Sequence, residues 1–258
     1  MQVVILCGGK GTRISEETMS KPKPLVEIGG KPILWHIVKT YTYYGYNKFI
    51  LALGYKGDMI KEYFYNLRIF SSDFKLNFKS NNNPEIIKNS NEIDCEILFV
   101  DTGESTLKGG RIKKIQKYIS SDNFHLTYGD GVCDVDLRKL ESYHVSNNST
   151  ATLTAVHPPS RFGELKLKGS RVMEFEEKPQ MNKGYINGGF FVLNKNVFNY
   201  LTEDDDCDFE FGALQNIARE NQLSAYKHKG FWQCMDNIRD RDYLNYLIKS
   251  KKAPWINW

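Results

Sequence analysis

The chain has 258 residues, 41% of them hydrophobic and 13% aromatic, and 35 lysines and arginines against 31 aspartates and glutamates give a formal net charge of +4. That is enough apolar material to bury a sizeable core, while a mild charge spread along the chain lacks the concentrated basic face that nucleic acid demands. No stretch approaches the ~20 apolar residues of a membrane span, and the five cysteines form no C-x-x-C pair of the kind that holds zinc or does redox chemistry.

Val3 to Leu6 run into Cys7-Gly8-Gly9-Lys10-Gly11-Thr12-Arg13. A short apolar run bounded by glycine reads as a buried strand of a parallel sheet. The glycines accept unusual backbone angles and bare their N–H groups to an anion. Thr12 adds a hydroxyl, and Arg13 adds a guanidinium fork suited to phosphate oxygens. Lys21-Pro22-Lys23-Pro24 brings more positive charge on a stiff backbone. The whole reads as a phosphate cradle at the C-terminal end of the first strand, where open α/β sheets place ligands. It is neither common glycine loop. Ile14 stands where a dinucleotide fingerprint needs its third glycine, and Gly11 separates Lys10 from Thr12 where a P-loop needs Ser or Thr.

Pro32 starts a helix whose face is Ile33, Leu34, Ile37, Val38 and Tyr41, with Trp35 and His36 as packing residues and Gly45 as the stop. Lys48 to Leu53 is a second strand, and Met59, Ile60, Tyr63, Phe64 and Leu67 mark a second amphipathic helix. This strand–helix alternation predicts a parallel or mostly parallel sheet with right-handed crossovers. At about 69–95 the pattern fades into an excursion with a turn cluster, Asn81-Asn82-Asn83-Pro84. Glu96 to Val100 resumes the sheet. In the loop that follows, Ser105 and Thr106 either read a base edge or bond their own backbone. Arg111 opens a helix carried by Ile112, Ile115 and Ile119.

Phe124 to Tyr128 is a strand ending in Gly129-Asp130-Gly131. Asp130 is either part of a tight turn or a Mg²⁺ ligand, since that ion takes one or two carboxylates plus substrate phosphates. Asp136 caps the helix carrying Leu137, Leu140 and Tyr143. Strands follow at Ala151 to Val156, Glu164 to Leu167 and Val172 to Phe175. Glu176-Glu177-Lys178-Pro179 reads as a solvated charge run or as a lysine held extended to meet an anion. Tyr185 to Leu193 is a strand interrupted by Gly188-Gly189, which permits close approach of a ligand or backbone. Helices are expected around Val197 to Leu201 and Ala213 to Ala218, then a late strand at Leu223 to His228. Asp236 stands where it could cap the helix carrying Tyr243, Leu244 and Leu247. Trp255 and Trp258 must dock on this or another subunit.

These motifs resemble the sugar-phosphate nucleotidylyltransferases, whose opening pattern is a strand, then G-G-x-G-T-R, then a lysine before an apolar step. The similarity runs from residue 2 to the last residue. It is strongest at Lys21 to Ile37, Asp101 to Arg111, Thr127 to Gly131, Glu177 to Pro179, Ile186 to Phe191 and Ala253-Pro254-Trp255, which are similar to the branch of that family using CTP and glucose 1-phosphate. The resemblance implies a Rossmann-like three-layer α/β sandwich with a central mixed, mostly parallel sheet and a small additional sheet region. It implies a single domain over 1–258, with the C-terminal helix and tail at about 239–258. It also implies nucleotide contacts from Leu6, Gly8, Gly9, Gly11, Thr12, Arg13, Lys23, Thr106, Arg111 and Gly129, and sugar-phosphate contacts from Gly163, Glu177, Lys178 and Asn187. Mg²⁺ would sit on Asp130 and Asp236, with Arg13, Lys23 and Asp130 as the catalytic residues. A cytoplasmic homo-oligomer (a hexamer by resemblance) serving lipopolysaccharide O-antigen biosynthesis is expected, with neither nucleic acid nor membrane as partner.

Overall fold

The computed structural model describes residues 1–79, 84–88, 93–158, 164–176 and 184–258. Its main sheet contains β1 (Val3–Cys7), β2 (Lys48–Leu53), β3 (Glu96–Asp101), β4 (Asn123–Tyr128), β5 (Ala151–Val156), β6 (Ile186–Asn187), β7 (Phe191–Asn194) and β8 (Leu223–Lys227). The order is β6-β5-β7-β4-β1-β2-β3, with β8 on the other side of β5. Strands β4, β1, β2 and β3 run parallel, whereas β7 pairs antiparallel with both β4 and β5. The sheet is therefore mixed, as expected.

Strand β1 is apolar at every position because both its faces are covered. Val3, Ile5 and Cys7 point into one core with Phe49, Leu51 and Leu53 of β2. Val4 and Leu6 point into the other with Ile50 and Ala52. The first core is closed by helices α1 (Ile33–Tyr43), α2 (Gly57–Phe70), α4 (Leu137–Asn147) and α6 (Ile238–Lys249). The second is closed by α3 (Lys108–Lys114), by a π-helical turn at Phe209–Leu214 and by α5 (Gln215–Arg219). This is the three-layer Rossmann-like sandwich, and its central strands need no polar face.

Several local expectations change. Helix α3 starts at Lys108 rather than at Arg111, so Gly109 and Gly110 lie inside it. A Cβ at Gly110 would stand 2.5 Å from Asp204 O, which is why these positions hold glycine despite its poor helix propensity. The helix expected around Val197 to Leu201 is a 3₁₀ helix over Lys195–Tyr200, capped by Asn194. In the excursion, Asp73–Lys75 pairs antiparallel with Glu85–Lys88. Asp136 caps α4 as expected, accepting from the N–H groups of Arg138 and Lys139. The tail folds onto its own chain. Trp255 is fully buried, stacks on Phe231 with ring centroids 5.3 Å apart, and lies edge-on to His36 of α1. Among the described residues, no helix is long and apolar enough to cross a membrane.

Candidate active site

The parallel register brings three loops to one rim of the sheet. Cys7 lies beside Leu53, Leu6 beside Tyr128, and Leu53 beside Asp101. The glycine loop, the Gly129-Asp130-Gly131 turn and the loop after β3 thus leave the C-terminal ends of neighbouring strands.

Lys23 stands at the centre of this rim, in a short 3₁₀ turn (Lys23–Leu25) introduced by the extended Pro22. It is 8% exposed. Its Nζ donates to Asp130 Oδ2 at 2.7 Å and to Asp236 Oδ1 at 2.8 Å. Burial by itself pushes the ammonium pKa down, but the two carboxylates, Asp130 foremost, outweigh it and hold the group above its ordinary value. Asp130 is placed by β4 and by close packing at Gly129, where a Cβ would meet Leu6 O at 3.0 Å. Asp236 is placed by a two-stranded ladder in which Trp232–Cys234 pairs with Gly131–Cys133, reinforced by Met235 N donating to Asp130 O at 2.9 Å. Asp236 does not cap α6. Asn237 does, in a capping box with Asp240, so the Asp236 carboxylate turns to Lys23. Two carboxylates bracketing one cation form a hard oxygen donor pair, which suits Mg²⁺. Asp134 belongs elsewhere, paired with His228 at 2.7 Å.

The glycine loop is half structural and half open. A Cβ at Gly8 would stand 2.2 Å from the Arg111 guanidinium, and Gly11 has φ +64°, whereas a Cβ at Gly9 would meet nothing within 4 Å. Gly9, Lys10 and Thr12 are the exposed residues of the loop. Arg111, 4% exposed, faces protein oxygens. Nη1 donates to Leu53 O at 2.9 Å, Thr102 Oγ1 at 2.7 Å and Gly103 O at 2.6 Å. Nη2 donates to Gly8 O at 3.0 Å and Glu104 O at 3.2 Å. This guanidinium ties the glycine loop, the end of β2 and the loop after β3 to one point. Thr106 is also buried, with Oγ1 2.7 Å from Thr102 O and 2.5 Å from Asp205 Oδ1, so its hydroxyl bonds backbone and a neighbouring loop.

At the C-terminal end of β4, Asn187 Nδ2 donates to Tyr128 OH at 3.2 Å and Asn187 Oδ1 accepts from Gly189 N at 2.9 Å. Tyr128 OH in turn donates to Glu210 Oε1 at 2.6 Å, and Lys108 Nζ reaches the same oxygen at 2.5 Å. Tyr128, Glu210 and Lys108 are the residues that sequence reasoning missed. Gly163, Glu177 and Lys178 lie outside the described residues, as does the side chain of Arg13.

The family model described as nucleotidyl transferase matches residues 2–239. A Salmonella typhimurium protein named glucose-1-phosphate cytidylyltransferase is 46% identical over 259 aligned positions, covering 100% of both chains. A Bacillus subtilis protein named probable glucose-1-phosphate cytidylyltransferase is 43% identical over 258, again covering both chains completely. Among solved structures, HddC from Yersinia pseudotuberculosis complexed with GMP-PN superposes with a TM-score of 0.67 at 25% identity, covering 96% of this chain and 99% of that one.

Proposed function

Because the chain belongs to the nucleotidyl transferase family, we propose that it joins CTP and α-D-glucose 1-phosphate to give CDP-glucose and pyrophosphate. The observation that carries this reading is Lys23 bracketed by Asp130 and Asp236 beside an open glycine loop. Full-length identity to relatives named for this activity supports the choice of both substrates.

An oxygen of the sugar phosphate attacks the α-phosphorus of CTP in line, its bond to phosphorus forming as the bond to the β-phosphate bridging oxygen breaks. A phosphate monoester has its second pKa near ~6 and is already mostly ionised at neutral pH. The chain therefore needs positioning and charge neutralisation rather than a strong base. The amides of Gly8, Gly9 and Gly11, with Thr12 and Arg13, hold the departing pyrophosphate. Lys23 moves from the carboxylates to the triphosphate and the incoming phosphate. Leu6 and Gly129 border the nucleotide, and Arg111 and Thr106 hold in shape the loop that meets its base. Gly163, Glu177, Lys178 and Asn187 hold the sugar phosphate. Asp130 and Asp236 would hold Mg²⁺, which when bound neutralises charge on the phosphates.

We further propose a cytoplasmic homo-oligomer whose product feeds surface-polysaccharide synthesis. The exposed Phe70, Phe78 and Ile87 on and beside the excursion support self-association. The test is pyrophosphate release by purified protein with Mg²⁺ and glucose 1-phosphate, using CTP, UTP, dTTP, ATP and GTP separately. Release with CTP well above the rest upholds the reading. Preference for another nucleotide keeps the carboxylate site and discards the base choice, and no release with any of them sinks the activity.

A further inference from the structure

Four side chains, of which only Asn187 has been given a part above, form one directed line of hydrogen bonds. It begins at Lys108, the first residue of α3, and ends at Asn187 in β6. Glu210 stands in the middle, on the π-helical turn Phe209–Leu214. Such turns are rare and concentrate at functional sites. Glu210 Oε1 takes both the Lys108 ammonium at 2.5 Å and the Tyr128 hydroxyl at 2.6 Å. Its second oxygen, Oε2, is buried and has no partner among the described residues. Packing alone does not explain a desolvated carboxylate oxygen without a donor.

The direction of the line follows from what each group can do. A carboxylate only accepts and an ammonium only donates. Tyr128 must therefore give its single proton to Glu210, and burial together with that carboxylate keeps the phenol protonated. The phenol lone pairs then face Asn187, which has to present Nδ2 to them at 3.2 Å. Its Oδ1 is held by Gly189 N at 2.9 Å, so the carboxamide cannot flip without losing both bonds. One N–H of Nδ2 is left to meet a ligand, and it is a donor.

Resting on the sugar-phosphate role proposed above for Asn187, we infer that Glu210 is a positioning residue for the acceptor sugar. Through Tyr128 it fixes the Asn187 amide as a hydrogen-bond donor to a hydroxyl oxygen of the incoming sugar phosphate.

Glu210→Gln keeps the size of the side chain but both donates and accepts, so the direction of the line is no longer set. Pyrophosphate release is measured with glucose 1-phosphate varied at saturating CTP, and with CTP varied at saturating glucose 1-phosphate. The KM for glucose 1-phosphate is expected to rise about tenfold, the effect of losing one oriented hydrogen bond, while the KM for CTP changes less than twofold. Tyr128→Phe cuts the same line and should reproduce that split even if Glu210→Gln folds poorly. The double variant should be no worse than the weaker single one, because both remove one shared interaction. Equal rises in both KM values, additive effects, or a lowered melting temperature without a KM split overturn the inference in favour of a packing role. If the unaltered protein makes no pyrophosphate from CTP and glucose 1-phosphate, the proposed activity fails. Calorimetric titration with glucose 1-phosphate then decides the inference: roughly tenfold weaker binding by Glu210→Gln upholds it, and unchanged or absent binding overturns it.

Discussion

Arg111 offers the sharpest test of how the rim is held. Its five donor contacts, between 2.6 and 3.2 Å, reach four backbone carbonyls and one threonine hydroxyl drawn from three segments. A lysine at this position carries three donors on one atom and cannot span those segments, so Arg111→Lys loses at least two of the bonds. Hydrogen bonds to a charged donor are worth about 1.5 kcal/mol or more each, and the stranded buried acceptors add to the cost, so the loss comes to about 3 kcal/mol. For a chain of this size each kcal/mol moves the melting temperature by about 2–4 °C, so the drop should be about 10 °C. Thermal unfolding followed by circular dichroism, with and without CTP, reads this directly, and pyrophosphate release gives the accompanying kinetics. An Arg111→Lys variant that melts within a degree of the parent while its KM for CTP rises tenfold would refute the argument, because the guanidinium would then be meeting the nucleotide rather than the loops.

Lys23→Ala should lower turnover on the order of 10²- to 10³-fold, as for other charge-stabilising donors, with the fold intact by circular dichroism; near-full turnover removes Lys23 from the mechanism. Burial holds His36 and His144 neutral, with pKa values pushed down to about 4. Both take up a proton on unfolding between their unfolded value of about 6.5 and the folded one, so their contribution is complete above about pH 6.5 and disappears as pH falls to 4. Where both are titrating in the unfolded chain, denaturant unfolding should show stability falling by up to about 2.7 kcal/mol per pH unit, and His144→Asn should flatten that slope. Trp255→Ala should cost about 3–5 kcal/mol as a fully buried large-to-small change. It should also reduce turnover, since Phe231, on which Trp255 stacks, adjoins the strand that delivers Asp236; a stability loss with unchanged turnover would uncouple the tail from the site.

Much of the fold could be read directly because its central strands are buried on both faces, and the apolar runs Val3 to Leu6 and Lys48 to Leu53 announce that. The glycine loop and Asp130 sit where such strands end, so local pattern and tertiary position coincide. Asp236 was ambiguous only until the next residue is weighed: Asn237 with Asp240 three positions on is a capping pattern, and it frees Asp236 for Lys23. The resemblance names Arg111 as a nucleotide contact, but its anchoring part was not legible, because nothing local reveals that its guanidinium packs against Gly8 and Gly54. Glu210 carries no local sign at all, because its meaning lies in contacts 82 and 102 residues away in the chain. The 3₁₀ turn at Lys195–Tyr200 shows the limit of periodicity: six residues hold too few apolar positions to separate a threefold from a 3.6-fold repeat.

The bracket of Lys23 between Asp130 and Asp236 has a consequence for the order in which the chain is made. Residues 3–128 build four adjoining parallel strands, so the glycine loop, Lys23 and Asp130 can be in place while translation continues. The second carboxylate arrives more than a hundred residues later, and Trp255, which stacks on Phe231 five residues before it, later still. A nascent or truncated polypeptide ending near residue 230 would therefore possess the glycine loop, Lys23 and one acid, but not the pair. The bracket is thus complete only once two acids more than a hundred residues apart have met across the Lys23 ammonium.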